Sequence, residues 1–121
     1  MILVDTSVWV DHLRAGDLEL AAMLDAGRVL MHPAVRGELA LGTLADRTEV
    51  LHLLGQLPAA TAATDSEVLA LVEAAGLWGR GVGWVDAHLL ASVRLTPHAG
   101  LWTRDRRLRT AADDCGVPVH Q

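Results

Sequence analysis

Apolar residues in this chain fall into two patterns. The first is the short unbroken run. Met1-Ile2-Leu3-Val4 ends at Asp5, and Arg28-Val29-Leu30-Met31 ends at His32-Pro33. Such runs predict strands buried on both faces of a parallel sheet. Gly100-Leu101-Trp102-Thr103 reads as a third strand and Val117-Pro118-Val119 as a final edge strand. The second pattern is helical spacing. Asp5-Thr6-Ser7 supplies cap residues for a helix carrying Val8, Trp9 and Leu13. A helix from Asp17 to about Ala26 turns Leu18, Leu20, Ala21 and Leu24 inward, and Gly27 ends it. Pro33 suits the first turn of a helix running through Glu38 to Leu41.

Asp46 to Leu57 is helical by the spacing of Val50, Leu51, Leu53, Leu54 and Leu57. Pro58–Ala63 reads as a connector. Thr64 and Glu67 form a capping box for a helix burying Val68, Leu69, Leu71, Val72 and Ala75. Gly76, Gly79, Gly81 and Gly83 interrupt the pattern as a flexible loop. Helices from about Trp84 to Leu95, with Pro97 past the end, and over Arg104–Cys115 complete the set. Strands alternating with helices predict an α/β sandwich around a short parallel sheet, one domain over residues 1–121.

Composition narrows the function. Apolar residues make up 51% of 121 and charged ones 21%, and mean hydropathy is +0.29, so the chain has enough apolar surface to fold rather than stay disordered. No run reaches the roughly 18 apolar residues of a membrane span, and Met1–Val4 lacks the basic flank and length of a signal peptide. Cys115 is the single cysteine, which excludes an intrachain disulfide and points to a reducing cytoplasmic setting. The net charge of −5 argues against a general nucleic-acid coat protein. All ten basic residues are arginines, so mechanisms needing a lysine are excluded.

Four acids stand where an open parallel sheet binds ligands, beyond the carboxyl ends of its strands. Asp5 ends the first strand, and Asp105 lies just past the strand holding Leu101 and Trp102. Glu38 sits in the helix after the second strand, and Asp86 in the first turn of the helix after the glycine loop. Each has an ordinary structural reading: a helix cap, a residue favouring a helix dipole, a surface acid. Brought together, they would repel by about 3 kcal/mol per pair at ~5 Å and an effective dielectric near 20. A hard divalent cation with oxygen ligands, Mg²⁺ or Mn²⁺, offsets that repulsion.

Four blocks carry a family resemblance. Ile2-Leu3-Val4-Asp5-Thr6-Ser7-Val8-Trp9 resembles the start of PIN-domain proteins, particularly VapC-type toxins. Pro33-Ala34-Val35-Arg36-Gly37-Glu38-Leu39, Gly83-Trp84-Val85-Asp86-Ala87-His88-Leu89-Leu90-Ala91 and Leu101-Trp102-Thr103-Arg104-Asp105-Arg106-Arg107-Leu108 follow in the family's order over nearly the whole chain. The resemblance implies a PIN-like α/β/α sandwich and a metal-dependent endoribonuclease. In it Asp5, Glu38 and Asp86 would hold one Mg²⁺ or Mn²⁺, and Asp105 would complete the catalytic quartet, with a second ion as an option. Thr6, Ser7 and Thr103 would orient water or a carboxylate. In-line attack by water would leave a 5′-phosphate and a 3′-hydroxyl, and a 2′,3′-cyclic phosphate would count against it. The resemblance also implies a homodimer and a cognate antitoxin with a segment in a groove near the acids. The apolar helices 17–26, 46–57 and 66–75 are consistent with protein partners.

The remaining residues divide between structural and RNA-binding readings. Arg104, Arg106, Arg107 and Arg109 beside Asp105, with Arg80 in the glycine loop, form either a solvated face or a phosphate clamp. Against the acidic whole, a local clamp suggests a structured RNA target. The six histidines lack zinc-site spacing. His88 is turned to the side of Asp86, and the others are surface or packing residues. Trp9 and Trp84 are expected in the core, and Trp78 is the candidate for stacking on RNA. Two alternatives share the residues: a PIN-domain RNA-processing nuclease that is not a toxin, and a non-catalytic RNA- or protein-binding module, against which the intact quartet argues. A receiver domain is set aside because it relies on a lysine.

Overall fold

Leu3 and Val4 are wholly buried because β1 (Ile2–Val4) occupies the middle of the sheet. The computed structural model describes residues 1–121. After β1 come α1 (Thr6–Ala15), α2 (Leu18–Asp25), β2 (Val29–Leu30), α3 (Pro33–Leu41), α4 (Arg47–Gly55), α5 (Asp65–Ala75), α6 (Trp84–Leu95), β3 (Gly100–Trp102) and α7 (Arg106–Asp114). The strand order is β2-β1-β3, and both pairings are parallel. Ile2 pairs with Val29 on one side and Gly100 on the other, so all three strands start level, and β2 ends one residue before β1 and β3. Burial of apolar side chains on both faces of β1 accounts for the unbroken hydrophobic run. No helix is long and apolar enough to cross a membrane.

The sheet edges are closed by two proline-bearing segments. Met31 donates to the Pro58 carbonyl and accepts from Ala60 N, at 2.8 and 2.9 Å. Leu101 N donates to the Pro118 carbonyl and its carbonyl accepts from His120 N, both at 2.8 Å. The connector 58–63 therefore lies along β2. The expected final strand Val117–Val119 shrinks to a single bridge, Leu101 to Val119. Pro118 has no N–H to extend a ladder, which suits an edge and ends the sheet there.

Helix starts follow their caps. Asp17 Oδ1 accepts from Leu20 N at 2.9 Å, and the Thr64–Glu67 capping box is complete. His32 Nδ1 accepts from Ala34 N at 3.0 Å, with Pro33 in the first turn of α3. The last helix begins at Arg106 rather than Arg104, because Asp105 is its cap: Oδ1 accepts from Arg107 N and Leu108 N. Thr103 consequently lies just outside β3, buried between strand and cap.

Trp9 is 2% exposed, as expected of a core residue, but Trp84 is 47% exposed. Trp84 opens α6 and stands ahead of its buried stretch, Ala87 and Leu89–Val93, so it projects past the packed part of the helix. Trp78 is exposed, as anticipated. The apolar helices leave unpartnered surface: Leu18, the first residue of α2, and Leu69 on α5, both expected inward, are exposed, as are Leu41 on α3 and Leu53 on α4.

Candidate active site

The carboxyl ends of the strands carry a web of short hydrogen bonds centred on Asp5. Its Oδ1 accepts from Thr6 N at 2.7 Å, which starts α1. Its Oδ2 accepts from Thr103 Oγ1 at 2.7 Å and from Ser7 Oγ at 2.9 Å. Asp5 is buried, and a buried carboxylate needs such donors. Thr6 Oγ1 donates to Glu38 Oε1 at 2.8 Å, tying α3 to the end of β1. Thr103 Oγ1 accepts from Asp105 N at 3.1 Å, and Ser7 Oγ accepts from Arg104 N at 3.0 Å. The three hydroxyls named from the sequence are thus the struts between the acids.

Asp86 enters from the first turn of α6, where its Oδ2 accepts from Gly83 N at 3.3 Å. Burial pushes its carboxyl above the ordinary carboxylate range. The Gly83 hydrogen bond opposes that shift, and the negative charges of Asp5, Asp105 and Glu38 reinforce it. The other three acids thus lie near enough to Asp86 for their charges to act on its carboxyl. Each also fills its ordinary structural role, since Asp5 and Asp105 cap helices and Asp86 bonds the start of its own. Capping and convergence are compatible because α1, α3 and α7 each start just after a strand.

The site has no positive side chain of its own. None of the four acids forms an ion pair. Arg104, adjacent in sequence to Asp105, turns away to pair with Asp11 and with Asp17, the latter at 2.7 Å. Arg80 pairs with Asp114 at 2.6 Å. Arg109 donates to the Thr103 carbonyl at 2.9 Å. Arg106 and Arg107 have no acidic partner and are exposed. Gly81, at φ +75°, passes so close to Arg107 that a Cβ there would sit 2.7 Å from its side chain, so the glycine loop rests on this arginine.

The donor set suits a hard divalent cation. Glu38, Asp86 and Asp105 each keep one carboxylate oxygen with no partner in the chain, and Asp5 Oδ1 has spare acceptor capacity. As placed, no three His, Cys, Asp or Glu side chains stand close enough together to hold a metal ion.

The PIN domain family matches residues 2–114. The chain belongs to the PIN-domain family. It is 52% identical over 119 residues to Ribonuclease VapC32 of Mycobacterium tuberculosis, from both the CDC 1551 and the H37Rv strains, covering 98% of this chain and 96% of the relative. Its fold is similar to that in the crystal structure of FitAcB from Neisseria gonorrhoeae, with a TM-score of 0.67 at 23% identity over 100% of this chain and 97% of that one. The α/β architecture with a parallel sheet, read from the strand and helix pattern, is that of this PIN domain.

Beside the histidine cap of α3 lies a set of rings that sequence reasoning did not connect. His88 Nε2 lies 3.2 Å from Asp65 Oδ1. Its ring meets Trp84 edge-on, with centroids 4.7 Å apart at 88°, and meets His32 edge-on as well, at 6.1 Å. The spacing of Trp84 and His88, one helical turn apart, was the available signal; the contribution of Asp65 from α5 was not.

Proposed function

We propose that this PIN domain is a divalent-metal-dependent endoribonuclease that hydrolyses RNA phosphodiester bonds, and that it is the toxin of a type II toxin–antitoxin pair. The observation that carries the reading is the group of four carboxylates, uncompensated by any arginine, at the ends of three parallel strands. Identity of 52% with Ribonuclease VapC32 supports the RNA substrate and the toxin role.

Asp5, Glu38 and Asp86 would hold one Mg²⁺ or Mn²⁺, and Asp105 would complete the site or share a second ion. A bound ion supplies a water acidic enough to attack near neutral pH and neutralises charge on the scissile phosphate. The chain's own part is positional. Thr6 and Ser7 at the start of α1, with Thr103 after β3, hold the Asp5 and Glu38 oxygens in fixed orientation. Arg106 and Arg107, free of acidic partners, are the cations available to RNA phosphates, whereas Arg80 and Arg104 are held by Asp114, Asp11 and Asp17.

The antitoxin would lie along the groove that begins at Glu38, where Arg14, Thr43 and Asp46 stand among apolar side chains. A groove of about 630 Å³ is lined by Glu38, Leu39, Val10, Leu13 and Val50. Leu13 and Val50 also line a second, wholly apolar cleft with Trp9, Leu24 and Leu53. Covering Glu38 from this groove would block the site directly. A homodimer and a cytoplasmic location complete the proposal.

The test is incubation of the purified chain with total RNA and Mg²⁺ or Mn²⁺, beside EDTA and Asp86→Asn controls. Discrete cuts with 5′-phosphate ends, abolished by EDTA and reduced by about 100-fold or more in the variant, are expected. Cleavage that survives Asp86→Asn, or an absence of both cleavage and metal binding, overturns the reading. Growth arrest on expression, relieved by the product of a neighbouring gene, is the expected sign of the toxin role.

A further inference from the structure

Trp84 is a large apolar side chain left 47% exposed two residues before Asp86, in the same first helical turn. Its ring is nevertheless fixed. It stands edge-on to His88, one turn further along α6, with the planes at 88°. His88 is itself held by Asp65 at 3.2 Å and backed by the ring of His32, which is 4% exposed. His32 directly follows the strand neighbouring β1, and it caps the helix that carries Glu38. A line of rings thus runs from the sheet edge beside Asp5 out to the surface and ends in an indole. At 47% exposure, part of the Trp84 side chain stays open to solvent.

An aromatic ring that is exposed yet oriented is the arrangement that receives a flat π-system. The surroundings favour a nucleobase over a protein side chain. Trp84 lies outside the groove bordered by Leu71 and Leu95 and the clefts bordered by Leu13 and Val50. Its support is a polar His–Asp pair, and its chain neighbour Gly83 presents no side chain that would close over a partner. The ribonuclease reading above brings an RNA strand to Asp86, so a base next to the cut lies within reach of this ring. On that reading, we propose that Trp84 is a stacking platform for an unpaired base of the RNA, with His88 and Asp65 as its positioning residues. The substrate is therefore single-stranded at or beside the cleaved bond, because a base inside a duplex has no free face. Stacking is indifferent to base identity, so this contact selects for unpairedness rather than sequence.

The experiment uses a 12-nucleotide single-stranded oligoribonucleotide of mixed sequence carrying one 2-aminopurine, whose fluorescence is quenched on stacking. It is titrated with full-length Asp86→Asn protein, in which cutting is suppressed, and the same strand is titrated after annealing to its complement. Expected are quenching with the single strand and little with the duplex. Trp84→Ala should weaken binding by about 10-fold or more and remove the quenching, and Trp84→Phe should restore most of both. In the cleaving wild-type background, Trp84→Ala should raise KM more than it lowers kcat. Because Trp84 is half exposed, the Ala variant should melt within a few degrees of its parent, which separates a lost platform from a lost fold.

Unchanged affinity and quenching in Trp84→Ala overturn the platform while leaving metal-dependent cleavage intact. A change in oligomeric state by light scattering, with RNA binding unaltered, overturns it in favour of a protein interface. Failure of the wild-type chain both to bind this RNA and to cut total RNA overturns the ribonuclease reading as well.

Discussion

Thr103 and Asp5, ninety-eight positions apart, are joined by a 2.7 Å hydrogen bond in the buried interior of the site. The contact exists because β3 lies beside β1 in register, Val4 opposite Trp102, so the residues after each strand meet. The same hydroxyl accepts from Asp105 N, which makes Thr103 the joint between two of the four acids.

Replacing that hydroxyl by a methyl of the same shape tests the joint. Thr103→Val should cost about 1.5–3 kcal/mol of stability, the usual range for a hydrogen bond to a charged group, since Asp5 stays buried with one donor fewer. Thr103→Ser should retain most of it. Urea denaturation of the three proteins checks the order. Cleavage should fall in Val and recover in Ser, and equal stability of wild type and Val would remove Thr103 from this role.

Asp86 should make the metal-free protein less stable as pH rises. Its carboxyl binds its proton more tightly in the fold than in the unfolded chain, through burial first and the neighbouring carboxylates after it. Between the unfolded value near 3.8 and the higher folded one, the native state holds more protons. Stability therefore falls as pH rises through that window. In EDTA at pH 7, Asp86→Asn should melt above wild type, and the two curves should converge below about pH 4. Adding Mn²⁺ should raise the wild-type Tm and move the variant less. A variant that melts lower than wild type in EDTA at pH 7 contradicts this account.

His32 should make the protein acid-sensitive. Burial holds its imidazole below the ordinary value of 6.5, with the nearby His88 acting in the same direction. The unfolded chain then takes up a proton that the fold resists. Stability is retained above about pH 6.5 and lost as pH falls below it toward the folded value. His32 Nδ1 accepts from Ala34 N, so the proton of the neutral ring sits on Nε2, which is buried without a partner. His32→Asn preserves an acceptor for the cap. Its urea midpoint should change less between pH 7 and pH 5 than that of wild type; parallel losses would show that another group is responsible.

The arginines beside Asp105 should separate by function. Arg104→Ala breaks the pairs to Asp11 and Asp17 and should cost about 1 kcal/mol of stability, the upper end for half-exposed pairs. Arg106→Ala should leave stability near that of wild type, whereas Arg107→Ala also removes the side chain on which Gly81 rests. Each should weaken RNA binding and lower the slope of log affinity against log salt by about 1. Melting curves and salt titrations of the three variants distinguish the roles. Loss of the salt slope in Arg104→Ala alone would reverse the assignment.

The positions of Asp5 and Glu38 were legible because each is bound to a local pattern: an apolar run ending in a helix cap, or a proline-led helix. Asp86 was legible as the third residue of a helix opened by Gly83. The hydroxyls were visible as neighbours of the acids, though not as the bonds joining them. Three features escaped, two of them because they depend on elements distant in sequence. Arg104 looked free because Asp11 and Asp17, its partners, lie across the α1–α2 corner. Trp84 looked like a core residue because an aromatic amid Val85, Ala87 and Leu89 fits a buried helix face, while its exposure depends on what packs beside the first turn. Val117–Val119 looked like a strand, but forming a ladder also needs N–H groups that Pro118 lacks.

By itself the sequence determined the order of strands and helices, the caps that start them, three acids at element starts and a fourth, Glu38, inside a proline-led helix, because each depends on hydrogen bonds and side-chain periodicity within a few residues. Tertiary structure decided which arginines remain free, which tryptophan faces solvent, and how Thr103 reaches Asp5. Those outcomes depend on the β2-β1-β3 strand order and on which helix lies beside which, set by burial of apolar faces contributed by the whole chain.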